Sequence, residues 1–130
     1  MRRTVTVLAG AAALSAAFTL QAAAAPAEFI APNARAAAEV NYHGELQRQK
    51  NVIDSFKSPI GPNVYCVIVD PSAGIDLSSA LILANGGVGT TSVETIGRPT
   101  TSCDSRRDAI TVVPLNNGRD VSASFTIAVL

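Results

Sequence analysis

The chain has 130 residues and a mass of 13.4 kDa, which leaves room for one domain and no second core. Ten Lys and Arg balance ten Asp and Glu, so a strongly basic face for nucleic acid is not expected. One His, two Cys and no Trp exclude a multi-His metal centre and a four-Cys zinc site.

The first residues have the three-part layout of a secretory signal peptide. Arg2 and Arg3 are followed by an uncharged run rich in Ala, Val and Leu up to Leu20. Ala22 and Ala24 supply the small side chains needed at −3 and −1, so cleavage after Ala24 is expected, with Pro26 at +2. An uncleaved membrane anchor is the alternative, but the run is Ala-rich and near the lower length limit for a spanning helix. The paired arginines alone do not specify twin-arginine export. With residues 1–24 removed, eight basic residues face ten acidic ones, a net charge of −2. Val, Ile, Leu and Phe then make up 29 of 106 residues, about 27%. That exceeds the roughly 20% below which a chain cannot bury enough apolar surface to fold.

Two stretches differ in composition. Residues 25–59 hold four Val or Ile and no Thr, whereas residues 60–130 hold 23 Val, Ile or Thr. β-Branched side chains fit a pleated surface and lose rotamer freedom in a helix, so residues 60–130 read as a β-rich domain. Residues 25–59 read as an amino-terminal arm, partly helical. Residues 25–33 form an extended or disordered tail containing Pro26 and Pro32. Residues 36–56 are the helix candidate, because Tyr42, Leu46, Ile53 and Phe56 share one helical face. Gly44 weakens that helix, and a shorter one over 45–56 is the alternative. Ser58-Pro59-Ile60-Gly61-Pro62 separates the two stretches, since neither a helix nor a central strand continues through it.

Residues 63–69 form a strand with apolar residues on both sides, as expected of a central strand covered twice. Asp70-Pro71-Ser72-Ala73-Gly74 is a turn. Residues 76–85 read either as a short helix capped by Asp76 or as a strand over 79–84 turning at Asn85-Gly86-Gly87; the β-rich surroundings favour the strand. Residues 91–96 form a strand broken by Gly97-Arg98-Pro99. Residues 108–113 form another, with Pro114 at its end and a turn at Asn116-Asn117-Gly118. In the last strand, Val121, Ala123, Phe125, Ile127 and Val129 alternate with smaller or more polar residues, a period of two. Residues 109–113 and 121–129 are expected to pair antiparallel. The fold class is mainly β: a small antiparallel β-sandwich or open barrel with an amino-terminal helical or irregular arm and one disulfide.

That disulfide joins Cys66 and Cys103, as an even Cys count in an oxidising compartment implies. Chain-entropy arithmetic gives it about 4 kcal/mol. A redox-active pair is less well supported without a C-x-x-C spacing. An immunoglobulin comparison fails for want of a Trp to pack on the bridge.

Candidate chemistry is sparse. His43 is the one imidazole; in a helix Glu39 at i−4 could orient it as a general base, with Glu45 at i+2. No G-x-S-x-G frames a Ser nucleophile. Gly86-Gly87-Val88-Gly89-Thr90-Thr91 lacks the G-K-[ST] ending of a phosphate loop. Asp104, Asp108 and Asp120 lack a calcium-loop pattern, and Arg106 and Arg107 beside them suggest mutual neutralisation. Acid pairs such as Asp70 with Asp76, or Glu39 with Glu45, occur in almost any sequence. Residues 104–108, beside Cys103, could present Arg106 and Arg107 as a disulfide-anchored bait. No N-glycosylation sequon is present.

The leading expectation is therefore a small secreted, non-catalytic extracellular binding module for a protein or cell-envelope ligand. It would need no cofactor, metal or nucleic acid and would have no membrane span in its mature part. A secreted protease inhibitor working through residues 104–108 is the alternative. A small hydrolase using His43 is the second.

Overall fold

The structure is a computed structural model that describes residues 24–29 and 31–130. The expected signal-peptide region up to residue 23 lies outside the described residues. Among the described residues the strands are β1 (Ala27–Glu28), β2 (Ala36–Val40), β3 (Leu46–Lys50), β4 (Val52–Lys57), β5 (Tyr65–Val69), β6 (Ile82–Gly86), β7 (Ser92–Ile96), β8 (Ala109–Asn116), β9 (Arg119–Asp120) and β10 (Phe125–Val129). One sheet runs β1-β3-β2-β10-β6 and the other β4-β5-β8-β7, with β9 appended to β8. All pairings are antiparallel except β1 with β3. The fold is thus mainly β and consistent with a small β-sandwich.

The two sheets face each other across a core built by period-two alternation. Ala36, Ala38 and Val40 of β2 and Phe125, Ile127 and Val129 of β10 point inward from one sheet. Tyr65, Val67 and Val69 of β5 and Ile110 and Val112 of β8 meet them from the other. Tyr65 is fully buried and meets Phe125 edge-on, ring centroids 5.1 Å apart. Its hydroxyl donates to the Tyr42 carbonyl at 2.9 Å and accepts from the Ala123 amide at 3.2 Å. One phenol therefore ties the β2–β3 turn to the segment entering β10.

Residues 36–56, expected to be helical, are three strands. Alanine has the highest intrinsic helix propensity, but tertiary pairing overrides it. β2 lies between β3 and β10, with Ala36, Ala37 and Ala38 all fully buried. The residues that suggested a helical face scatter: Tyr42 and Ile53 are exposed, while Leu46 and Phe56 pack on different clusters. Gly44 marks a tight turn instead. Its φ is +90°, and a Cβ there would sit 2.8 Å from the Lys57 amide nitrogen. The Asn41 side-chain oxygen closes the turn by accepting from the amides of His43 and Glu45. The expected arm thus contributes strands to both sheets.

The chain crosses from β3 to β4 at Asn51, which adopts φ 52°. In residues 76–85 neither reading holds as drawn. Asp76 caps a turn through Ser79, and the strand lies later, at Ile82–Gly86. The Asp70 turn forms as expected, with Asp70 capping the 3-10 turn Pro71–Ala73 and Gly74 left-handed.

Two further differences concern β8 and β10. β8 runs through Pro114 rather than ending there. The Pro114 carbonyl accepts from Val121, so its nitrogen faces the same side, beyond the last β5 partner, Tyr65 opposite Val112. The missing N–H falls where that ladder has already stopped. The expected pairing of 109–113 with 121–129 does not form. Asn117 and Gly118, both at positive φ, make a two-residue hairpin, but it returns only as β9. The chain then crosses to the opposite sheet, where β10 pairs with β2 and β6. Its alternation holds: Ala123, Phe125, Ile127 and Val129 are buried.

β5 is covered on its second face as well. Cys66 and Ile68 form an outer cluster with Cys103, Ala109 and the partly buried Phe56. The Cys66–Cys103 disulfide is formed, and it closes residues 100–105 over this face. Among the described residues no helix is long and apolar enough to cross a membrane.

Replacing Tyr65 with Phe is expected to cost roughly 1–3 kcal/mol, because the buried Ala123 amide loses its acceptor; the urea midpoint measures it. Replacing Cys66 and Cys103 together with Ala is expected to cost about 4 kcal/mol in the same assay. An unchanged midpoint would mean that the loop docks without its bridge.

Candidate functional site

The disulfide-pinned loop is an irregular segment held to the fold by covalent and hydrogen bonds. After β7, Gly97 lies against the turn that carries Leu77, and a Cβ on Gly97 would run into the Leu77 carbonyl. Leu77 is buried in the main core, so this turn is anchored from below. Thr100 leads into the 3-10 turn Thr101–Cys103. The Thr100 hydroxyl meets that of buried Thr111 at 2.6 Å, and Ser58 Oγ donates to the Ser102 carbonyl at 2.7 Å. Asp104 and Ser105 are both left-handed, with φ of 56° and 54°, which folds the chain back. The Ser105 amide bonds the Thr100 carbonyl at 2.8 Å and closes the loop.

Between this loop and the turn at residues 76–79 lies a cleft of about 310 Å³, lined by Asp76, Ser78, Gly97, Pro99 and Arg107. A second cleft of about 290 Å³ shares Ser78 and Gly97 and is lined also by Thr95, Ile96 and Arg98. The Asp76 carboxylate accepts from Ser78 Oγ at 2.6 Å, the Ser78 amide at 3.1 Å and Ser79 Oγ at 3.0 Å. Hydrogen bonds from Ser78 and then Ser79 hold its pKa below the ordinary aspartate value.

The structure separates the two arginines singled out from sequence. Arg106 makes a two-pronged contact with Asp108, at 2.9 and 2.7 Å. This holds the Asp108 carboxyl below its ordinary range and raises the Arg106 pKa. Arg107 makes no such contact and lines the first cleft.

His43 sits in the β2–β3 turn, exposed and beside Tyr42, with ring centroids 3.9 Å apart and the rings tilted by 40°. The acids expected beside it are engaged elsewhere: Glu39 faces Arg48 at 3.4 Å, and Glu45 accepts from Asn41 at 2.7 Å. Asp70 and Asp76 each cap their own turn. Asp104, Asp108 and Asp120 do not converge; among the described residues no group of three His, Cys, Asp or Glu side chains is placed to hold a metal ion. Sequence reasoning missed Ser78 and Arg98. The one available signal was Gly97 preceding Arg98, read only as a strand breaker.

Comparison with protein-family models, curated proteins and solved structures returned no match for this chain.

The Arg106–Asp108 pair has a measurable signature. Because the folded pKa of Asp108 lies below the unfolded one, its stabilisation is fully present above the ordinary carboxylate range. It is lost as pH falls through the depressed value. In Arg106→Ala the Asp108 midpoint, followed by carboxyl carbon NMR, is expected to rise toward the ordinary value of 3.8.

Proposed function

We propose that this chain is a small, non-catalytic binding module that works outside the cytoplasm, and that its contact surface is the face formed by residues 97–108 and 76–79. One observation carries the reading: the disulfide-bearing loop is fixed to the core at Cys103 while its rim residues Arg98, Pro99 and Arg107 stay exposed. A contact surface that is already ordered loses little conformational entropy on binding. The disulfide suits an oxidising compartment, and the leader-like sequence of residues 1–24 supports export.

The inhibitor alternative is less well supported. A bait loop offers its arginine in an extended segment, whereas Asp104 and Ser105 turn back and Arg106 is folded onto Asp108. The hydrolase alternative lacks support from His43, whose neighbouring acids are engaged by other side chains.

Labelled residues 25–130 should bind saturably to envelope fragments of the producing cells, and an unlabelled excess should compete. Ser78→Trp, which fills the cleft without changing charge, is expected to weaken this binding about tenfold or more. Unsaturable binding, or equal binding of the variant, counts against the proposed face.

A further inference from the structure

Most cationic side chains of the described residues are already committed. Arg35 donates to the Gly74 carbonyl at 3.1 Å and Lys50 to the Ala31 carbonyl at 2.8 Å. Arg48 faces Glu39, Arg106 grips Asp108, and Lys57 reaches Ser122 while lying over the Tyr65 ring. Arg98, Arg107 and Arg119 make no side-chain hydrogen bond or ion pair among the described residues, and of these three only Arg98 and Arg107 line a cleft beside the loop. Arg98 and Arg107 lie nine residues apart in one loop, and they line two clefts that meet at Ser78 and Gly97.

From this juxtaposition we propose that the joined clefts bind a single phosphate or carboxylate group, held between Arg98 and Arg107. The inference rests on the binding-module reading and names the ligand chemistry of that face. A guanidinium presents a planar fork of donors that matches either oxyanion in two-pronged geometry. Ser78 lines both clefts and adds a polar contact. Asp76 is the countercharge to be overcome. Its carboxylate accepts three hydrogen bonds from its own turn, and two guanidinium groups against one carboxylate leave the rim one charge positive. The face of residues 76–79 and 97–108 as a whole is neutral, three Arg against three Asp, so the positive spot is confined to the cleft lining. The floor is fixed by the absence of a side chain at Gly97, which lets the Leu77 carbonyl approach. Cys103 and Leu77 anchor the two walls in separate clusters of buried residues.

The test is an amide NMR titration of residues 25–130 with inorganic phosphate and with galacturonate, using galactose as the neutral control. Saturating shifts centred on residues 76–79, 95–98 and 107, with either anion, are expected. Which anion saturates first distinguishes a phosphate-bearing from a carboxylate-bearing ligand. Arg98→Ala with Arg107→Ala should weaken binding about a hundredfold, roughly tenfold for each charged partner. Arg98→Lys with Arg107→Lys keeps the charge but loses the fork, and should fall between. Both positions are exposed, and retained peak dispersion confirms folding. Absence of saturation with both anions, an equal response to galactose, or unchanged affinity in the alanine variant overturns the proposal. Envelope binding blocked by Ser78→Trp, together with no anion response, would leave the binding face standing and remove only its ligand chemistry.

Discussion

A strand that is apolar on both sides has to be covered twice, and most of this molecule is arranged around that requirement in β5. Its inner face, Tyr65, Val67 and Val69, packs against β2 and β10 in the sandwich core. Its outer face, Cys66 and Ile68, has no third sheet above it. The cover is a loop, and an isolated loop has too little apolar area to stay docked by burial alone. The Cys66–Cys103 bridge supplies the difference by tying that loop to the strand it covers. Thr100, Ser58 and Thr111 satisfy the polar groups that the arrangement buries. Burial of β5 and rigidity of the loop are therefore one effect seen from two sides.

The same logic governs the sheet edges. β4 is an edge strand, and an unpaired edge invites pairing with another chain. Its ladder with β5 is interrupted by a bulge between Val52 and Asp54, and Asp54 and Lys57 place charge along it. At Asn51 the chain leaves one sheet for the other. The Asn51 side chain donates to the Arg35 carbonyl, and its own carbonyl accepts from the Asp70 amide. A single residue at positive φ thus joins both sheets at one corner.

Elements that carry their own periodicity were legible from sequence. The last strand announced itself through alternation, although it starts at Phe125 rather than at Val121 as the alternation suggested, and β5 through apolar residues on both faces. The Asp70 turn followed from Asp, Pro and Gly at fixed offsets. β2 was not legible because alternation is invisible when neighbouring positions are all alanine. Ala36, Ala37 and Ala38 are each buried, but inward and outward positions hold the same residue. The partner of β10 was hidden for another reason. A turn at Asn117–Gly118 predicts a hairpin, and the hairpin exists, yet it lasts only two residues before the chain changes sheets. Nothing local distinguishes a short return from a long one. The disulfide and Arg107 were legible as residue types. The cleft was not, because its walls come from turns near residues 77 and 97 that only the tertiary fold brings together.

That origin ties the site to stability. Each wall is an exposed rim on a buried anchor: Ser78 follows Leu77, which is 3% exposed, and Arg107 follows Cys103, which is 1% exposed, by four residues. Local openings of a protein begin where few buried contacts hold a segment. Here the rim cannot move far without drawing an anchor out of its cluster. Loosening the cover of β5 would therefore open the cleft before the sandwich itself separates. Any ligand that bridges the two walls would in turn favour the closed cover, since binding to the ordered state alone stabilises it by mass action. Residues 97–108 thus serve the core and the surface through a single docked conformation.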